Sequence, residues 1–70
     1  MNDQLHWIDV NERLPEAGQR VLIIRKKGFA EIATYCPGHM EDGELCEWQS
    51  DWYNFYVATH WMPIPYHPSL

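Results

Sequence analysis

The sequence predicts a small, mostly β protein built on an antiparallel sheet of about four or five strands. Short segments rich in β-branched and aromatic residues alternate with turn residues along the 70-residue chain. Helix signals are weak, because proline occurs five times and no segment longer than about ten residues keeps a 3.6-residue apolar period. Such a sheet is expected to curl, and an SH3-like, partly closed barrel is one form it could take. One short helix, in residues 11–19 or 39–47, is compatible with this pattern.

The first half of the chain contains three predicted strands. Residues 6–10 form a short candidate strand, and residues 11–19 form a turn region that contains proline and glycine. Arg20–Arg25 holds four consecutive aliphatic residues, a pattern typical of a strand buried on both faces, so we place it at the centre of the sheet. After a tight connection at residues 26–28, residues 29–35 form the return strand of a hairpin.

The second half is predicted to hold a loop, two strands and a tail. Residues 37–47 are polar and acidic and are expected to form a mobile acidic loop. Residues 47–52 and 56–62 are strand candidates, and strict alternation in the second places Ala58 and Trp61 on opposite faces. Residues 63–70 are expected to be an extended, proline-rich tail. We treat residues 1–70 as one small domain with a core at about 6–65.

Charge is distributed unevenly along the chain. The formal net charge is −5, and all five basic residues lie before position 28. Binding to nucleic acid is disfavoured, because a protein that grips phosphates needs a basic surface. Four carboxylates in the middle of the chain form either a solvated loop or a docking surface for a basic partner; they are Glu41, Asp42, Glu44 and Glu47.

Targeting signals are not apparent. The sequence has no apolar run of membrane-spanning length, and its first residues lack the basic and apolar regions of a signal peptide. We therefore expect a cytoplasmic location and no membrane partner. In that compartment Cys36 and Cys46 should stay reduced, although their number alone would allow a disulfide.

Motifs near both ends of the chain resemble a known family. Residues 7–15 read Trp-Ile-Asp-Val-Asn-Glu-Arg-Leu-Pro, and residues 59–65 read Thr-His-Trp-Met-Pro-Ile-Pro. Together with Gly18 and residues 21–23, they resemble the domain of unknown function 551, whereas residues 28–56 match it little. The resemblance implies a small accessory protein of bacteriophages and prophages, acting in the bacterial host cytoplasm. It implies no catalytic residue.

The end motifs allow two physical interpretations. In the first, both ends pair on a common sheet, and Trp7 and Trp61 are core or groove residues. Leu14 then enters the core, while Arg13 bonds nearby carbonyls or pairs with a carboxylate. In the second, an exposed aromatic patch binds a partner, since Trp, Tyr, Met and Arg are enriched at interface cores; its residues are Trp7, Trp61, Met62 and Pro63.

One set of residues resembles a metal site. Cys36 and His39 have the Cys-x-x-His spacing, and Cys46 and His60 could complete a tetrahedral zinc site. The alternative is that both cysteines are small buried or loop residues, that His39 is solvated, and that His60 bonds a carboxylate or carbonyl. No motif supports an enzyme, and we expect no catalytic residue and no cofactor other than the possible zinc.

These features lead to two functional expectations. The first is an interaction protein that binds a host or phage protein and modulates it, for example as an inhibitor of a host defence protein. The second is a self-associating structural or assembly module, so an oligomer is possible. A zinc-stabilised domain is compatible with either expectation.

Overall fold

The computed structural model of the protein describes residues 6–65, which form two antiparallel sheets and no helix. The strands are β1 Ile8–Asp9, β2 Arg20–Arg25, β3 Ala30–Tyr35, β4 Met40–Glu41, β5 Glu44–Leu45, β6 Trp48–Ser50, β7 Phe55–Tyr56 and β8 Ala58–Pro63. The larger sheet has six strands in the order β1-β8-β2-β3-β6-β7, and the smaller one pairs β4 with β5. The mostly β, antiparallel class is therefore confirmed.

The N-terminal and C-terminal segments of the described chain pair with each other. Ile8 lies opposite Trp61 in the β1–β8 ladder, and the Val10 N–H donates to the Thr59 carbonyl at 3.0 Å. On its other side β8 pairs with β2, the strand expected at the sheet centre. The predicted meeting of the two ends is confirmed, and it places β8 between the first and second strands.

The six-stranded sheet is curled but not closed. Strand β7 lies at one edge, whereas β8 is second from the opposite edge, and only Val57 separates these strands in sequence. The Lys26 N–H donates to the Val57 carbonyl at 2.8 Å. Because two residues of backbone span at most about 7 Å, the sheet must bend until its β7 edge approaches the end of β2.

The core lies on one face of this curled sheet. Val21 and Ile23 of β2 are fully buried, whereas Leu22 and Ile24 are only partly buried. The expectation that this strand is buried on both faces is wrong, because its outer face carries no second layer of described residues. The other buried members of the core cluster are Ile8, Ala33, Tyr35, Trp48, Ala58 and Trp61.

Strand β8 contains a bulge that changes its inward face. Ile24 lies opposite His60, but the next residue of β2, Arg25, lies opposite Ala58. The extra residue on β8 reverses the alternation of side chains, so Ala58 and Trp61 both belong to the core cluster. The prediction that they occupy opposite faces is therefore wrong.

The acidic middle of the chain contains a β-hairpin. Strands β4 and β5 pair around Asp42 and Gly43, whose φ angles are 50° and 81°. Two left-handed residues in a two-residue loop match a type I′ turn, for which Asp-Gly is a preferred sequence. The Cys46 N–H donates to the His39 carbonyl at 2.9 Å and continues the ladder. We call residues 40–45 the acidic ribbon; it replaces the loop expected across residues 37–47.

The proline-rich segment begins later than expected. Strand β8 runs to Pro63, which lies opposite Val21, so the last strand extends one residue beyond the predicted end. A proline at the end of a strand removes only one potential ladder donor. The extended tail predicted for residues 63–70 otherwise falls mainly on residues 66–70, outside the described part of the chain.

Candidate functional site

Trp61 lies in the interior of the protein. Its side chain is 4% exposed, and its indole Nε1–H donates to the carbonyl of Arg13 at 2.8 Å. The guanidinium carbon of Arg13 lies 5.8 Å from the centre of the indole ring, within the range of a cation–π contact. Met62 is also buried, whereas Trp7 is 42% exposed. These residues therefore do not form one continuous exposed patch. Trp61 is a core residue, as in the first interpretation of the end motifs.

In the turn after β1, the buried residue is Pro15 and not Leu14, which was expected to enter the core. Leu14 is 46% exposed, whereas the next residue, Pro15, is buried. The prediction that Leu14 enters the core is wrong, because the chain here is held by the backbone carbonyl of Arg13 and not by the leucine side chain. Proline takes the inward position at little cost, since it has no N–H to leave unpaired.

The four acidic candidates occupy two different environments. Glu41, Asp42 and Glu44 are exposed on the acidic ribbon, and Glu41 pairs with the imidazole of His39. Glu47 is partly buried, and its carboxylate accepts a hydrogen bond from the Gly38 N–H at 2.7 Å. Glu47 therefore supports the backbone at the base of the ribbon, whereas the other three remain available to solvent.

The candidate zinc ligands do not converge. The imidazole of His39 stacks on Phe55 with 3.5 Å between ring centres, and His60 Nδ1 lies 2.9 Å from the hydroxyl of Thr59. Cys36 and Cys46 are both free thiols. Within residues 6–65 no group of three or more His, Cys, Asp and Glu side chains is placed to hold a metal ion.

Cys46 is the more shielded of the two cysteines. Its side chain is 7% exposed, and burial raises the pKa of its thiol, with a further contribution from the carboxylates of Glu44, Glu41 and Asp42. A raised pKa keeps the group protonated, and the thiolate is the reactive form. Cys46 therefore behaves as a small apolar residue at neutral pH.

Among residues 6–65, the most exposed large apolar side chains belong to the hairpin between β6 and β7. Trp52 is 84% exposed and Tyr53 is 79% exposed. We call these two residues the aromatic tip. Neither was among the candidates drawn from the sequence, because residues 47–52 read as a strand and the side chain of Trp52 could then face the core. Only the position of the turn shows that both rings lie outside it.

A buried serine holds the aromatic tip in place. Ser50 is 4% exposed, and its hydroxyl oxygen accepts hydrogen bonds from the N–H groups of Trp52 and Asn54, each at 3.2 Å. The Ser50 N–H donates to the Asn54 carbonyl at 2.7 Å, and the Tyr53 N–H donates to the Ser50 carbonyl at 2.9 Å. Four hydrogen bonds therefore fix the loop that presents the two rings.

Tyr53 adopts a backbone conformation that favours glycine. Its φ is +66°, and a bulky residue at positive φ is uncommon. The β2–β3 hairpin has the same hydrogen-bond pattern: the Arg25 N–H donates to Phe29, and the Gly28 N–H donates to Arg25, each at 2.7 Å. There the equivalent position is Gly28, with φ +96°. The chain thus forms this turn twice and places a tyrosine where glycine is easier in only one of them.

The fold and the aromatic tip together define a class: a small all-β domain whose open, curled sheet presents two exposed aromatic rings on a hydrogen-bonded turn. The chain belongs to the family described as "Protein of unknown function (DUF551)", whose model matches residues 6–69. No curated protein matches the chain, and no solved structure matches it. In the described part of the chain, no helix has the length and apolar character needed to cross a membrane.

Proposed function

We propose that this protein is a small accessory protein that acts by binding another protein through its aromatic tip. The resemblance of the end motifs to a phage and prophage family supplies the setting: a gene product of a phage or prophage in the bacterial cytoplasm. Its partner is a host or phage protein, and binding inhibits or modulates that partner, with a host defence protein as one example. On this proposal the protein needs no catalytic residue and no cofactor.

The strain at Tyr53 is the observation that carries the proposal. A left-handed conformation costs an ordinary residue roughly 1–2 kcal/mol, and such strain concentrates at functional positions. The side chain of Tyr53 is 79% exposed, so packing within the described residues does not account for a tyrosine there. Binding to a partner gives both this ring and that of Trp52 a reason to be exposed, since Trp and Tyr dominate interface hot spots.

Rigidity strengthens this argument. The hydrogen bonds to Ser50 hold the loop backbone before any partner arrives, which lowers the entropy lost when the loop is ordered on binding. The aromatic tip and the acidic ribbon extend from opposite ends of β6. The ribbon's carboxylates therefore act at long range, and they would speed the approach of a basic partner at low salt.

Removal of either aromatic side chain should weaken partner binding without unfolding the protein. We expect Trp52→Ala and Tyr53→Gly each to lower affinity about thirtyfold or more, because hot-spot truncations cost roughly 2 kcal/mol or more. The measurement is affinity capture from infected or lysogenic bacterial cells, followed by binding assays with each purified candidate. Phe29→Ala is the matched control, since Phe29 is 62% exposed on another hairpin. If the tip variants bind the captured partner as tightly as the wild type does, the aromatic tip is excluded as the binding site.

The strain itself can be measured separately from binding. We expect Tyr53→Gly to raise the free energy of unfolding by about 1 kcal/mol, because glycine adopts positive φ without steric conflict. Gly28→Ala should lower it by about the same amount; an added Cβ there meets no atom within 4 Å, so only backbone strain acts. Urea unfolding followed by circular dichroism measures both. A lower free energy of unfolding for Tyr53→Gly would show that the Tyr53 side chain stabilises the fold, and its strain would then not indicate a binding role.

Self-association is the second candidate function. Strands β1 and β7 are the edges of the six-stranded sheet and each leaves one side unpaired, and unpaired edges can join a second copy. Both edges are only two residues long, which limits the hydrogen bonds such a contact could make. Sedimentation velocity distinguishes the two candidates. A dimer that dissociates when Trp52 is replaced by alanine would assign the tip to self-association, whereas a strict monomer at high concentration would remove this candidate.

A further inference from the structure

A pocket of about 530 Å³ lies where the curled sheet fails to close. The turn between β2 and β3 forms one side of it, with Arg25, Lys26 and Lys27, and Phe55 and Tyr56 of β7 form another. Glu44 of the acidic ribbon also lines it. Ligand-binding pockets of proteins range from about 300 to 1,000 Å³, so this one has room for a small organic molecule. It is distinct from the aromatic tip.

The pocket concentrates positive charge in an acidic protein. It holds three of the five basic residues of a chain whose net charge is −5. Lys26 and Lys27 are exposed and form no ion pair within residues 6–65. Their ammonium groups are therefore free to contact an anion, and lysine is a common phosphate-binding residue.

Arg25 forms one side of the pocket, and its side chain is held in place by two contacts. Its guanidinium pairs with Glu31 at 3.1 Å and lies 3.9 Å from the ring centre of Tyr56. Phe55 is held in a similar way, because it stacks on the imidazole of His39. These contacts already cover one face of Tyr56 and one face of Phe55, and the guanidinium carbon of Arg25 also lies 5.2 Å from the ring centre of Phe29. A planar ligand would therefore stack on the parts of these side chains that still line the pocket.

We propose that this pocket binds a mononucleotide. The phosphate would contact Lys26 and Lys27, and the base would lie against the wall that Arg25 and the β7 rings form. The Glu44 carboxylate repels a simple anion but accepts hydrogen bonds from ligand donors; ribose hydroxyls and base amino groups are such donors. A longer polyanion is disfavoured, because the acidic remainder of the chain would repel its further phosphates.

A titration of the isotope-labelled protein by NMR tests this inference without knowledge of any protein partner. The probes are AMP, GMP, adenosine, ribose 5-phosphate and inorganic phosphate. We expect AMP or GMP to shift the backbone amide signals of residues 25–27 and 55–57 in a saturable way, with a Kd below about 1 mM. Adenosine and ribose 5-phosphate should each bind at least about tenfold more weakly, since each lacks one half of the recognition.

A double variant and a control locate the site. Lys26→Gln combined with Lys27→Gln should weaken nucleotide binding about tenfold or more, whereas Arg20→Gln should leave it within about twofold. Arg20 begins the strand that Arg25 ends, about 16 Å away at the usual rise per residue. No saturable shift with AMP or GMP up to 10 mM overturns the proposal, as does equal binding of ribose 5-phosphate or unchanged binding by the lysine double variant. Partner capture by the tip variants tests the proposed function alone, and its outcome does not affect the nucleotide proposal.

Discussion

Replacement of Trp61 by alanine is expected to lower the free energy of unfolding by about 3–5 kcal/mol, the range typical of a buried aromatic residue. A domain of this size has a free energy of unfolding of roughly 3–10 kcal/mol in total, so the variant should lose about a third of it or more, and all of it if the wild type lies at the lower end of that range. The loss combines a cavity in the core, the broken hydrogen bond to the carbonyl of Arg13, and weaker packing between β1 and β8.

Trp52→Ala is the matched control for this prediction, because the two residues share a chemistry and differ in burial. Trp52 is 84% exposed, against 4% for Trp61, and surface substitutions usually change stability by no more than about 0.5 kcal/mol. Urea unfolding should be followed by far-ultraviolet circular dichroism, since both variants alter tryptophan fluorescence directly. Equal losses in the two variants would contradict the placement of Trp61 in the core.

The second large effect concerns two adjacent isoleucines of β2. Ile23→Ala should lower the free energy of unfolding by about 2–5 kcal/mol, because the side chain is fully buried and its removal leaves a cavity. Ile24→Ala should cost clearly less, about 1 kcal/mol, since Ile24 lies on the partly exposed face of the same strand. Thermal and urea unfolding of the two variants give the comparison. A greater loss for Ile24→Ala would mean that the outer face of β2 is the covered one.

The sequence predicted the parts of this fold that depend on local composition. Arg20–Arg25 was assigned to a central strand with the bounds that the structure shows, because a run of aliphatic residues between charged residues has few other stable arrangements. The pairing of the two ends was also predicted, from the tryptophan in each end motif. Ile8 and Trp61 are indeed neighbours across the β1–β8 ladder.

The errors arose where an inserted residue or a turn decides which way side chains point. Strict alternation placed Ala58 opposite to Trp61, and the bulge in β8 reversed it. A bulge depends on the partner strand, so the sequence of β8 alone does not reveal it. The acidic ribbon was predictable from Asp42 and Gly43, since Asp-Gly is a strong hairpin signal; the high density of charge around it favoured a loop instead.

The aromatic tip could not be located from the sequence alone. Trp52 is the last residue of a predicted strand and Tyr53 follows it, and a shift of one or two residues in the end of that strand decides between a buried ring and an exposed one. Ser50 carried the only local signal, since serine side chains often bond backbone N–H groups two residues further on. The basic pocket depended on the curl of the sheet, which brings residues 25–27 and 55–57 together from distant parts of the chain.

The pairing of β1 with β8 has a consequence for synthesis of the protein on the ribosome. Strand β8 lies between β1 and β2, so the sheet lacks an interior strand until residues 58–63 have left the exit tunnel. The earlier hairpins can form as they emerge, but β1 has no neighbour until β8 has emerged. Pairing of such sequence-distant strands is slow, and the nascent chain exposes its apolar inner face meanwhile. Folding of this sheet is therefore completed only after β8 has emerged, and the interval before that gives chaperones and proteases their greatest access to it.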